Sequence, residues 1–286
     1  MENILELKNL NKQYKEFSLK NVSFSLKPGY IMGFIGPNGA GKSTTIKLIM
    51  NLIKRDSGDI KIFGKDNIKH EKEIKSRIGF VYDENFYYED LTVNAMKGII
   101  APFYKNWDNN VFSKYIKEFN LPANKKIKEL SKGMKVKFSL AIALSHKAEL
   151  IIMDEPTAGL DPVFRRELLD ILYNIIQDES VSIFFSTHIT TDLERIADYI
   201  TFINEGQIIF SEAKDEIFDN YAIVKGKREV LDFDLRNELI SVRENSFGFE
   251  ALTKRVNGVK RLFNQDVIIE RPTLEDIMVY TVRGNA

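Results

Sequence analysis

Residues 36–44 read Gly36-Pro37-Asn38-Gly39-Ala40-Gly41-Lys42-Ser43-Thr44 and fulfil the pattern G-x-x-x-x-G-K-[ST]. No other stretch constrains this chain so tightly. Glycines let backbone N–H groups turn inward around an anion, and the start of a following helix adds partial positive charge. Lys42 is placed to reach the β- and γ-phosphates of a nucleotide. The Ser43 hydroxyl is placed to complete a Mg²⁺ shell otherwise made of phosphate oxygens and water. The flanks agree: residues 30–35 form an apolar, strand-like run, and residues 44–53 carry the periodicity of an amphipathic helix. Strand, phosphate loop and helix in that order predict a nucleotide-binding α/β core.

A second stretch adds chemistry. Residues 149–156, Glu-Leu-Ile-Ile-Met-Asp-Glu-Pro, form a short apolar run closed by two carboxylates, as a buried parallel strand ending at a site would be. Asp154 falls at the strand's C-terminal end, where α/β sheets bind ligands, and is suited to hold Mg²⁺ through water. Glu155 follows it, placed to accept a proton from the water that attacks the γ-phosphate.

Upstream, Leu130-Ser131-Lys132-Gly133-Met134 opens a helix-like stretch that runs to about His146. Ser131 suits the N-cap, which leaves free N–H groups at a positive helix end, a second place for an anion. With these motifs the chain resembles the ATP-binding subunit of an ABC transporter, whose signature is usually written LSGGQ and stands here as LSKGM. The resemblance covers roughly residues 2–215, with its marks in the family's order. It implies that Tyr14 stacks on adenine and that residues 36–44 hold the phosphates. It further implies that Asp161, in Ala158-Gly159-Leu160-Asp161, belongs to the D-loop, and that His188, after Ser186-Thr187, is the switch histidine. Ser131 and Gly133 are then offered to the phosphates of a partner protomer.

The same resemblance sets the expected architecture. This is an α/β P-loop NTPase of ABC type over residues 1–215, with a RecA-like core and an antiparallel β subdomain. A helical subdomain is inserted at about 85–147, and residues 216–286 form a small α+β accessory region. ATP and Mg²⁺ are the implied cofactors. The implied partners are polytopic membrane subunits on a separate chain, and a second copy or a related ATPase subunit.

Two positions depart from the family pattern. Asp83 stands where the Q-loop glutamine is expected; a carboxylate can hold a Mg²⁺-bound water but has no amide donor. Lys132 replaces the signature's first glycine, while Ser131 and Gly133 keep their places. The LSKGM form, with residues 84–93, is similar to the drug- and peptide-antibiotic-export branch, including bacitracin-resistance-like and YtrB-like subunits.

The chain holds three histidines. His188 follows the apolar run 181–185, His70 lies in a charged run that reads as a solvated helix face, and His146 ends the signature helix, where a cation suits the helix dipole. Composition narrows the partners. With 41 basic and 41 acidic residues and no basic stripe, nucleic acid is not an expected partner. The absence of cysteine excludes disulfides, thiol catalysis and Cys-ligated metal. The acidic start of the chain reads as no signal peptide. Its apolar runs fall far short of the roughly 20 residues that span a bilayer, so no direct membrane insertion is expected. The expected place is the cytoplasm, peripheral on the inner face of the membrane.

Other functions fit less well. A soluble ABC protein acting on ribosomes normally carries two such domains, and this chain has one P-loop and one signature. A chromosome-maintenance ATPase places a long heptad coiled coil between these motifs, and here only about 90 residues without heptads intervene. A soluble scaffold ATPase, for example in iron–sulfur assembly, remains the alternative to a transporter subunit.

Overall fold

The computed structural model describes residues 2–82, 87–263 and 266–284. The chain divides into two compact units, residues 1–211 and 212–286.

In the first unit the strands are, in chain order, β1 (Leu5–Gln13), β2 (Ser18–Leu26), β3 (Ile31–Ile35), β4 (Ser57–Ile62) and β5 (Lys65–Asp66). Then come β6 (Ile78–Val81), β7 (Leu150–Asp154), β8 (Ser182–Thr187), β9 (Tyr199–Asn204) and β10 (Gln207–Ala213). They build two sheets. One runs β10-β9-β3-β8-β7-β6, and β3 pairs in parallel with both β8 and β9 at its middle. The other, β2-β1-β4-β5, pairs antiparallel throughout.

The reason for the split is visible in the side chains. All five residues of β3 and all six of β8 are buried, as strands covered on both faces must be. By contrast, β2 alternates buried and exposed positions over Val22–Leu26, the mark of a sheet with one wet face. Phe24 of β2 joins the two sheets: its ring lies 5.5 Å from Phe34 and 5.6 Å from Phe184. Each side chain buried this fully contributes about 2 kcal/mol from apolar burial.

The helices of this unit are α1 (Lys42–Ile49), α2 (Glu71–Lys75), α3 (Val93–Ile100), α4 (Asn109–Glu118), α5 (Lys132–Ser145), α6 (Pro162–Ile175) and α7 (Thr190–Ile196). Of these, α3, α4 and α5 fall in sequence between β6 and β7, as the insertion predicted. Asp108 caps α4, accepting from the N–H groups of Asn110 (2.8 Å) and Val111 (3.2 Å). Helix α1 is shorter than its apolar periodicity suggested. Asn51 adopts a left-handed φ of 52°, and the N–H of Leu52 returns to the Lys47 carbonyl at 2.8 Å. That closing motif ends the helix before Leu52 and Ile53 can join it.

His146 corrects the expectation of a helix-end cation. It is buried, stacks on Tyr104 with ring centres 3.8 Å apart, and leaves its Nδ1 without a partner. Burial pushes its imidazole down to about 4. The native state therefore holds it neutral, while an unfolded imidazole protonates near 6.5. Its stabilisation is complete above that pH and is lost as pH falls from about 6.5 toward 4, by roughly 2 kcal/mol at pH 5. Urea titrations at pH 7.5 and pH 5 should show the native chain losing more stability than His146→Phe. Equal losses would assign the acid sensitivity elsewhere.

The second unit holds α8 (Lys214–Asn220), β11 (Ala222–Gly226), α9 (Phe233–Asn237), β12 (Ser241–Asn245) and β13 (Gly248–Thr253), followed by α10 (Val256–Phe263), β14 (Val267–Glu270) and α11 (Leu274–Gly284). Its sheet runs β12-β13-β11-β14, with every pair antiparallel. Order and connections make β11 to β14 a β-α-β-β-α-β, ferredoxin-like arrangement. Val224, Leu235, Phe249, Ala251 and Val259 form its core. The closing helix α11 buries Leu274, Ile277 and Tyr280, and the Tyr280 hydroxyl donates to Glu250 Oε1 at 2.6 Å.

Candidate functional site

The phosphate loop leaves the buried end of β3 and runs straight into α1. Gly39 and Gly41 stand at φ 81° and 113°, conformations that side-chain-bearing residues rarely adopt. A Cβ at Gly36 would come within 2.3 Å of the Ile203 carbonyl oxygen. The turn Glu205-Gly206 between β9 and β10 braces the loop from outside, its Gly206 N–H donating to the Ala40 carbonyl at 3.0 Å. Gly41 N-caps α1 without a side-chain bond, so the first N–H groups of the helix, beginning at Lys42, Ser43 and Thr44, have no side-chain cap. An anion fits there.

The Lys42 ammonium is almost wholly buried. It donates to the carbonyls of Gly36 (2.7 Å) and Pro37 (3.3 Å) and lies 3.3 Å from Glu155 Oε1. Glu155 Oε2 in turn meets His188, at 2.8 Å from Nδ1 and 3.3 Å from the backbone N–H. The P-loop lysine, the acidic residue after Asp154 and the histidine after β8 thus form one chain of contacts. They line a cleft of about 690 Å³ together with Ser43 and Thr44.

Asp154 closes β7, and its Oδ1 accepts from the Ser186 hydroxyl at 2.6 Å. The same hydroxyl accepts from the Glu155 N–H at 3.1 Å, and the Ser186 carbonyl accepts from it at 3.2 Å. Ser186 was not singled out as a site residue in sequence. It fixes both carboxylate positions, and its one signal was its place two residues before His188.

The remaining residues lie apart from this cleft. Ser131 caps α5, accepting from the Met134 N–H at 3.2 Å, and Asp161 caps α6, accepting from Val163 and Phe164 at 3.0 Å each. Gly133 shows why that position admits no side chain, because a Cβ there would fall 2.2 Å from the Phe164 ring. Neither Ser131 nor Gly133 lines the P-loop cleft. Tyr14 does not line it either, and Asp83 lies outside the described residues.

Among the described residues no cluster of three or more His, Cys, Asp or Glu could hold a metal ion unaided. That donor set fits Mg²⁺, which in a nucleotide site takes most of its oxygens from phosphate and water. Ser43 and Asp154 are the side chains suited to complete its shell. Bound there, Mg²⁺ would neutralise charge on the β- and γ-phosphates.

The ABC transporter family model matches residues 19–158. The bacitracin transport ATP-binding protein BcrA of Bacillus licheniformis is 33% identical over 270 residues, covering 92% of this chain and 86% of BcrA. The chain belongs to the ABC transporter ATP-binding family. The ABC transporter ATP-binding protein YtrB of Bacillus subtilis (strain 168) is 31% identical over 219 residues, 76% of this chain and 75% of YtrB. A solved ATP-binding subunit of an ABC transporter superposes with a TM-score of 0.68 at 30% identity, covering 76% of this chain and 92% of that one. This ABC ATPase therefore has the P-loop NTPase fold of its family, and ATP hydrolysis is its reaction. No helix among its described residues is long and apolar enough to cross a membrane.

Proposed function

We propose that this ABC ATPase drives export of drugs, peptides or lipid-like compounds, working as a head-to-tail dimer on separate membrane subunits at the cytoplasmic face. One observation carries the dimer. The cleft gathers Lys42, Ser43, Glu155 and His188, while the anion-suited helix end at Ser131 and Gly133 lies outside it. Each half is chemically incomplete. In a head-to-tail pair, the signature of one protomer closes over the nucleotide held by the P-loop of the other.

Within that site Lys42 and the start of α1 bind the phosphates, and Ser43 and Asp154 are the described side chains that would hold Mg²⁺, which would neutralise phosphate charge. Asp83, the further metal candidate in the sequence, lies outside the described residues. Glu155 takes the proton of the attacking water, and His188 holds the Glu155 carboxylate in place. Asp161 sets the start of α6 beside the dimer interface. Closure on ATP and release on hydrolysis are the motions a membrane partner converts into transport. The likeness to BcrA, a bacitracin transport ATP-binding protein, supports the export branch, since it runs through 92% of this chain. Residues 216–286 serve as an accessory region for dimer contacts or regulation.

A tagged chain recovered from detergent-solubilised membranes tests the assignment. A polytopic membrane protein should co-purify in fixed ratio and stimulate or restrain the ATPase. Recovery of an active ATPase only from the soluble fraction, without such a partner, would point to a scaffold ATPase.

A further inference from the structure

Lys137 is a charged side chain buried in α5, and it has no place in the reaction described above. It is 5% exposed, with its ammonium 2.8 Å from Glu167 Oε1 and 4.7 Å from the centre of the Phe164 ring. Both partners belong to α6, three residues apart on one face of that helix. One turn nearer the start of α5, the same ring covers Gly133. A Cβ built there would meet three carbons of the Phe164 ring within 2.5 Å.

The two helices are therefore joined at two points, Phe164 on Gly133, and Glu167 with the Phe164 ring on Lys137. Two contacts one turn apart on α5 fix both its distance from α6 and its rotation about its own axis. Helix α6 is itself anchored. Arg165 donates to Asp192 Oδ1 at 2.6 Å and to Thr191 Oγ1 at 2.7 Å, both on α7, and Leu168, Leu169 and Leu172 are buried. Gly133 stands in the first turn of α5, beside the Ser131 cap. Whatever fixes Gly133 thus fixes the N–H groups that this helix end offers to an anion.

We propose that Phe164 is a positioning residue for the signature, serving the nucleotide site of the partner protomer and not its own. The inference rests on the head-to-tail pairing proposed above. Phe164 does not line the cleft around its own Lys42. Its ring touches only the helix end that a head-to-tail pair lends to the other chain. An alanine at 164 would leave Gly133 and the Lys137 ammonium without the surface they rest on. The first turn of α5 is then free to shift, and a misplacement of about 1 Å is enough to cost roughly 100-fold in rate.

Complementation between two inactive chains reads one site alone. Lys42→Ala lacks a working P-loop and Ser131→Arg lacks a working signature, so only their mixed dimer holds an intact site. In it the Ser131→Arg chain supplies the P-loop and the Lys42→Ala chain supplies the signature. Phe164→Ala added to the Lys42→Ala chain should lower the recovered ATPase activity by roughly tenfold or more. The same substitution added to the Ser131→Arg chain should leave that activity nearly unchanged, which also shows that Phe164→Ala folds. Equal losses in both placements would make Phe164 a prop of the fold, and no loss in either would detach it from the signature. Either result overturns the assignment. If Lys42→Ala and Ser131→Arg recover no activity together, the head-to-tail reading falls and takes this assignment with it.

Discussion

Glu155→Gln is expected to bind ATP at least as tightly as the native chain while hydrolysing it about 10²- to 10⁴-fold more slowly, the range that a positioned general base supplies. The amide keeps the shape of the carboxylate and its contact with His188 but accepts no proton from water. The affinity half of the expectation comes from Lys42. Its ammonium lies 3.3 Å from Glu155 Oε1, so a phosphate on Lys42 shares that ammonium with a carboxylate. A neutral amide competes less, which favours ADP as well as ATP. Nucleotide titration and single-turnover hydrolysis measure the two effects separately. Hydrolysis near the native rate would remove Glu155 from catalysis. Unchanged affinity for both nucleotides would leave the ion pair without a role in binding.

Lys42→Ala attacks the same contact from the other side, and its effect on affinity should be the reverse. The ammonium is held by two loop carbonyls, at 2.7 and 3.3 Å, and among the described residues lining the cleft Lys42 is the only lysine or arginine. Removing it leaves the β- and γ-phosphates facing Glu155 without compensation. Nucleotide affinity should fall by roughly 30-fold or more, the usual scale for breaking a buried charge pair, and turnover should be nearly absent. An unchanged far-ultraviolet spectrum would show that the fold survives. Native-like affinity together with native-like hydrolysis would mean that the loop is not the site.

Both variants concern residues that are readable in the sequence, and the reason is local. The P-loop, the two carboxylates at the end of β7 and the histidine after β8 are short linear patterns, each following a largely apolar run. A strand buried on both faces is mostly apolar, β8 admitting only the hydroxyls of Ser182, Ser186 and Thr187, so charged groups gather at its end. The core sheet was legible for the same reason.

The second unit was legible only as a small α+β region. β12, Ser241-Val242-Arg243-Glu244-Asn245, is an edge strand whose side chains are half-buried or exposed, so it shows no alternation of apolar and polar residues. Its turn to β13 is held by the Asn245 side chain, which accepts from the N–H groups of Phe247 and Gly248 at 2.8 and 3.1 Å. No Asn-Gly pair marks it. Helix α9 spans only Phe233–Asn237, less than two turns, too short for a helical period to show. What could be read there were the apolar stretches of β11 and β14 and the helix after Thr273. His146 failed for a different cause. Its place at a helix end was visible, but the Tyr104 ring that covers it comes from 42 residues earlier, and no local pattern records that contact.

The backbone at Glu155 is held against its own conformational preference. Glu155 sits at φ 48°, a left-handed conformation that costs a residue with a side chain about 1 kcal/mol or more relative to glycine. It is kept there because Ser186 accepts its N–H through both carbonyl and hydroxyl. A glycine would relax this backbone, and a glycine cannot take a proton from water. In the general-base role proposed for Glu155, ease of folding and rate of turnover rank the amino acids at this position in opposite orders, so a lineage drifting toward greater thermal robustness would lose that chemistry here first.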